Sequence, residues 1–246
     1  MKRFPLFLFL LLPLVQSAKA SGVSWSSLTV SEFRDSYGHL LDNTFRVQLG
    51  FFEDTLAGDF VPDESNVANW VTQWRVFDEA SINLDGDGSD YFTSEAWVGF
   101  DGKSYVNSGG APVLNTDEGT NTLGLNYTGQ TAYIWLYNQK TPAPSASTEW
   151  FLARMTDWIL PAGSNDCCDT TLNLQWSISQ LDTANVTPIW GAQSGEIGDG
   201  HYTDPTPGVY DIQTFTFIPE PSSLLLAVLG SSLLLRRKRD HVTPSM

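Results

Sequence analysis

Cysteine, histidine and positive charge are scarce in this chain of 246 residues. Its two cysteines, Cys167 and Cys168, are adjacent, so no multi-bridge disulfide scaffold holds the fold together. Three histidines leave little material for a zinc centre or for histidine-based catalysis. Lys and Arg number 13 against 28 Asp and Glu, a formal net charge of −15. That balance argues against nucleic-acid binding, which depends on clustered cations. No apolar run reaches the roughly 20 residues of a comfortable membrane span. No phosphate-cradling or dinucleotide-binding glycine pattern stands out. What is present is 41% hydrophobic residues with 13% aromatics, which rules out a wholly disordered chain.

The two ends read as processing segments. Lys2 and Arg3 precede the apolar run Phe4 to Val15, and Ala18-Lys19-Ala20 forms an A-x-A cleavage site. Residues 1–20 are therefore expected to be a secretory signal peptide, with Ser21 as the first mature residue. At the other end, Pro219-Glu220-Pro221 precedes a Leu-rich stretch over 222–235 and the cluster Arg236-Arg237-Lys238-Arg239. The prolines stop upstream structure from running into the apolar stretch. The four cations are too costly to pull through lipid, which keeps the tip cytoplasmic and the body outside.

Motif, short apolar helix and Arg-rich tip, in that order, resemble the PEP-CTERM sorting signal of Gram-negative bacteria. The resemblance covers residues 218–240 and implies roles for Pro219, Glu220, Pro221, Arg236, Arg237 and Arg239. It implies recognition and cleavage by an exosortase, a membrane-embedded transpeptidase-like enzyme. It also implies transient anchoring in the inner membrane through the C-terminal helix, followed by residence at the cell surface or in extracellular matrix. A weaker resemblance, to exported PEP-CTERM carriers of verrucomicrobial type, rests on three groups of residues. They are Leu49-Gly50-Phe51-Phe52 with Phe60-Val61-Pro62, Asn66, Trp70 and Trp74; Gly129 to Trp135; and Thr148-Glu149-Trp150 with Trp158. It implies no activity.

The body, residues 21–217, is expected to be one all-β domain. Residues 21–221 hold six cations and 27 acids, a net charge of −21. Such a surface repels polyanions. Period-two patterns predict strands over Thr44–Phe52, Tyr91–Phe100, Glu149–Met155, Thr171–Ile178 and Val209–Ile218. Thr131–Asn138, apolar on both faces, predicts a central strand. Asp101-Gly102 predicts a tight hairpin. One helix is predicted after Pro62, capped at Ser65, with Val67, Trp70, Val71 and Trp74 on one stripe. Such a stripe packs on a sheet or serves as a ligand platform. The expected architecture is a single β-sandwich, jelly-roll-like, with a short helical insertion. An N-terminal signal helix and a C-terminal transmembrane helix flank it, and residues 241–246 form a tail.

Candidate chemistry is thin. Asp85, Asp87 and Asp90 alternate with glycines and serine, an arrangement that suits calcium or a solvated acidic turn. The EF-hand spacing is not met, because Asp90 stands at the glycine position and Ala96 at the glutamate position. Cys167 and Cys168 offer a strained vicinal disulfide or a crosslink to another chain. His39 and His201 are the body's only histidines, and Glu149 and Glu95 lie beside tryptophans as sugar-cleaving acids often do. The leading expectation is a non-enzymatic surface or matrix protein associated with extracellular polysaccharide. A carbohydrate-binding module and a secreted hydrolase are the alternatives. An exposed row of Trp or Tyr favours the module, and complete burial favours a structural role.

Overall fold

Alternating apolar residues turn most of the chain into strands. The computed structural model describes residues 21–27, 31–53, 60–83, 90–109, 111–116, 124–163, 174–177 and 186–217. In chain order the strands are β1 (Ser21–Ser26), β2 (Phe33–Arg34), β3 (Arg46–Phe52), β4 (Trp74–Glu79), β5 (Ser81–Asn83) and β6 (Tyr91–Val98). Then come β7 (Ser104–Ser108), β8 (Ala111–Leu114), β9 (Thr131–Tyr137), β10 (Glu149–Ile159) and β11 (Leu174–Ser177). The short strands β12 (Val186–Trp190), β13 (Ala192–Gln193), β14 (Glu196–Ile197), β15 (Ile212–Gln213) and β16 (Phe215–Thr216) complete the set. The fold is all-β, with one short helical segment among the described residues, between β3 and β4.

Three sheets form. The first has the order β11-β1-β6-β7-β8, with β5 also on β6. The second has the order β12-β10-β9-β3-β4, with β16 also on β10, so the doubly apolar β9 is central as its sequence predicts. The third, β14-β13-β15-β2, joins the two ends of the body through the parallel pair Phe33↔Ile212. The expectation of an all-β body is met; the two larger sheets share a core, and a third sheet is added whose two-residue strands are too short to show a periodicity.

Side-chain parity explains the layers. Val47, Leu49, Phe51, Ile134, Leu136 and Phe151 point from the second sheet into a core shared with Val23, Trp25, Phe92 and Ala96 of the first. The alternate residues Phe52, Tyr133, Trp135, Tyr137, Trp150 and Leu152 point the other way, into a second core closed by Val67, Trp70, Trp190 and Phe215. The second sheet is therefore buried on both faces, which is why its strands read as continuous apolar runs. Trp25 Nε1 donates to Asp78 Oδ2 at 2.8 Å, giving a buried carboxylate of the second sheet a donor from the first.

Two local details set the geometry. Gly102, at φ +75°, makes the predicted turn between β6 and β7, its amide donating to the Gly99 carbonyl at 2.8 Å. Gly50 has no room for a side chain, because a Cβ there would lie 2.3 Å from the Arg75 carbonyl oxygen and 2.7 Å from the Trp74 ring.

The predicted helix is shorter than its stripe suggests. A 3-10 turn, Glu64–Asn69, and one α turn, Trp70–Gln73, end where Trp74 enters β4. Trp74, Arg75 and Val76 pair with Phe52, Phe51 and Gly50 of β3, and this strand pairing takes the place of a further helical turn. The cap is Asp63 in extended backbone; Ser65 Oγ only donates to the Asp63 carboxylate, at 2.5 Å. Asn66 Oδ1 accepts from the Asp63 amide at 3.1 Å and from Trp70 Nε1 at 2.7 Å, locking the turn to the second core.

Candidate functional site

The residues singled out in sequence do not converge on one place. Pro219, Glu220, Pro221, Arg236, Arg237, Arg239, Asp85, Asp87, Cys167 and Cys168 lie outside the described residues, as do the signal segment and the C-terminal apolar stretch. No helix among the described residues is long and apolar enough to cross a membrane. Asp90 is described and fully buried. Its backbone bridges to Ser31, and its Oδ2 accepts from the Phe33 amide at 3.4 Å. The carboxylate thus faces the chain leading into β2. Among the described residues no group of three or more His, Cys, Asp or Glu is placed to hold a metal.

Among the described residues neither His39 nor His201 hydrogen-bonds a serine. The exposed His39 ring lies 3.3 Å from Asp35 Oδ2 and stacks on Tyr37. The exposed His201 stacks on Tyr202, and its backbone bridges to Thr216. Glu149, expected at the start of a strand, is buried there and serves as a bolt. Its Oε1 accepts from Ser36 Oγ at 2.5 Å, and its Oε2 accepts from Thr214 Oγ1 at 2.8 Å and from the Ser36 amide at 3.2 Å. Burial pushes the Glu149 carboxyl above the ordinary glutamate value, against the pull of the Ser36 and Thr214 hydroxyls, and Asp35 adds to the rise. Asp204 sits on the other side of Ser36, its amide donating to the Ser36 carbonyl at 3.1 Å. The Thr206 amide and the Tyr210 hydroxyl hold its carboxyl below the usual range. These two acids are held by protein donors, and they tie the β2 loop to β10 and β16.

All nine tryptophans are buried, none more than 7% exposed. Five of them, Trp70, Trp74, Trp135, Trp150 and Trp190, form a continuous cluster on the outer face of the second sheet. Trp135 meets Trp150 edge-on at 4.9 Å, and Trp70 stacks on Trp150 at 5.8 Å. The stripe of the helical segment therefore packs on a sheet, and no coplanar row of exposed tryptophan exists.

One cavity stands at the edge of this cluster. It has a volume of about 340 Å³ and is walled by Phe52, Phe60, Val61, Gly129, Gln130, Thr131, Tyr133 and Arg154. Its origin is a register break in β10. Arg154 pairs with Tyr133 and Ile159 with Thr131, five steps along β10 against two along β9. The extra length bows β10 away from β9 and opens space beside Arg154. The half-buried Arg154 pairs with Tyr133 across the strands, close enough for its guanidinium to act on the Tyr133 hydroxyl. Burial raises the Tyr133 hydroxyl above its ordinary value, while the Arg154 charge opposes the rise. Arg34, Arg46, Arg75 and Lys103 each form an ion pair with a carboxylate. Arg154 forms none among the described residues. Sequence reasoning passed over this site, although one signal was there: a cation directly after the buried run Phe151-Leu152-Ala153.

No family model matches the chain, and no curated protein or solved structure is significantly similar to it.

Proposed function

We propose that this chain is an exported, non-enzymatic protein of the cell surface or extracellular matrix, carrying a PEP-CTERM sorting signal that an exosortase processes. The observation that carries the reading is the ordered C-terminal series: Pro219-Glu220-Pro221, an apolar stretch over 222–235, and Arg236 to Arg239. The positions of the strands support it. β1 opens at Ser21, directly after the A-x-A site, and β16 closes at Thr216, just before the Pro-Glu-Pro motif. A body that begins and ends at the two expected cut points loses no strand when they are used.

The burial of every tryptophan favours a structural body over a stacking platform for polysaccharide chains. Among the described residues no serine hydrogen-bonds either histidine, which gives the hydrolase alternative no support. The jelly-roll-like classification of the two facing sheets belongs to the same proposal. The test is deletion of Pro219 to Pro221 in a cell that contains an exosortase. The expected result is full-length precursor retained in the membrane, read by mass spectrometry of the C-terminus. Identical processing of deletion and wild type overturns the assignment.

A further inference from the structure

We propose that the cavity beside Arg154 binds a single carboxylate-bearing, hydroxyl-rich ring, the chemistry of a uronic acid. The inference goes beyond surface residence and does not depend on it.

The charge argument comes first. Residues 21–221 carry a net of −21, yet the cavity wall presents a half-buried guanidinium whose neighbour among the described residues is the Tyr133 hydroxyl, a neutral group. An arginine drawn partly out of water beside a neutral partner keeps donor capacity for an anion. Its planar fork matches a carboxylate with two parallel bonds. One cation with no lysine or helix N-terminus on the wall suits a monoanion. A phosphate dianion needs more positive charge, and the surrounding acids repel it more strongly.

The rest of the wall chooses the body of the ligand. Gln130 and Thr131 are half-buried and polar, and the Gln130 amide makes only a long 3.4 Å bond to the Asn126 carbonyl. They offer donors and acceptors to ring hydroxyls. Phe52 and Phe60, with ring centroids 5.4 Å apart, supply an apolar edge for the C–H face of a ring. The volume, about 340 Å³, lies at the lower end of small-ligand pockets and is enough for one ring. The wall is built before any ligand arrives: Gly129 donates to the Leu160 carbonyl at 2.9 Å, and Leu160 donates to the Gln130 carbonyl at 2.9 Å.

The test is isothermal titration of the full-length protein at pH 7 with three probes: D-glucuronate, D-glucose and inorganic phosphate. Glucuronate is expected to bind saturably, with glucose and phosphate weaker by about tenfold or more, the factor set by a charge-assisted bond pair. Arg154→Gln is expected to weaken glucuronate by about tenfold or more while leaving any glucose binding unchanged. Gln130→Ala, which removes no buried charge, is expected to weaken it several-fold. Should Arg154→Gln fail to fold, the Arg154 Nε resonance of the wild type gives the reading, and it must shift on adding glucuronate. No saturable glucuronate binding, equal binding of glucose, tighter binding of phosphate, an unmoved Arg154 resonance, or unchanged affinity in a folded Arg154→Gln protein each overturns the proposal.

Discussion

Replacing Glu149 by glutamine removes one titration from the protein interior while keeping its shape. The glutamine carbonyl oxygen accepts from the Ser36 amide and Thr214 Oγ1, and its NH2 donates to Ser36 Oγ, as the protonated acid does. In the wild type, burial raises the folded-state value of Glu149 above that of the unfolded chain. A raised carboxyl binds its proton more tightly in the folded state, so its contribution is fully present below the unfolded value of about 4.3. That contribution is lost as pH rises through the folded value. The slope approaches about 1.4 kcal/mol per pH unit while one proton separates the two states, and it vanishes above both values.

The stability of wild type minus that of Glu149→Gln is therefore expected to fall between pH 4.5 and the raised value, then level off. Urea unfolding followed by tryptophan fluorescence at half-unit pH steps measures this difference. Using the difference cancels the acids common to both proteins, including the charge repulsion that also grows with pH. Glu149→Ala leaves three donors without their acceptor and is expected to cost about 2–5 kcal/mol at any pH in this range. A flat difference curve, or one that rises with pH, refutes the placement of Glu149 as a buried acid at the junction of β2, β10 and β16.

Trp70→Ala is expected to cost about 3–5 kcal/mol by removing the ring that joins Trp135, Trp150 and Trp190, measured by urea unfolding. Gly50→Ala is expected to cost about 1–3 kcal/mol, because its Cβ meets the fixed Arg75 carbonyl, whereas Gly129→Ala meets no neighbour within 4 Å. Gly129 sits at φ +74°, so its substitution carries backbone strain of about 1 kcal/mol instead. Thermal melts of the two variants separate overpacking from strain. Asn66→Ala is expected to cost about 1–2 kcal/mol, since it removes the acceptor of both the Asp63 amide and the Trp70 indole. A loss no larger than that of an exposed residue such as Thr72→Ala counts against the lock.

Strands whose two faces carry distinct patterns were legible in the sequence. Val47, Leu49 and Phe51 alternate with Gln48, Gly50 and Phe52, and unbroken hydrophobicity from Ala132 to Tyr137 places β9 in the middle of its sheet. β4 was not legible, because the spacing of Trp70 and Trp74 fits one face of a helix as well as the end of a turn followed by a strand. Only the pairing of Phe52 with Trp74 decides between them, and pairing is a long-range fact. The cavity was illegible for the same reason. Tyr133 and Arg154 are 21 positions apart and become neighbours through the β9–β10 register, and the space beside them comes from the register shift that follows Arg154. Burial of the tryptophans was half legible: the stripe predicts packing, but the partners Trp150 and Trp190 come from distant strands.

The leading strand of the body sits inside its sheet, with β6 on one flank and β11 on the other. Val23 takes its parallel partner Leu174 from far down the chain, and Phe33 takes Ile212. A polypeptide threaded through a narrow pore with its N-terminus first therefore arrives on the far side with nothing to zip onto. Until residues 174–177 emerge, one flank of β1 stays bare, and residues 212–213 must follow before the loop after β2 is fastened. Closing such long loops is slow. If the chain is exported as proposed, the topology itself holds back the closing of the first and third sheets until residues 174–177 and 212–213 have crossed.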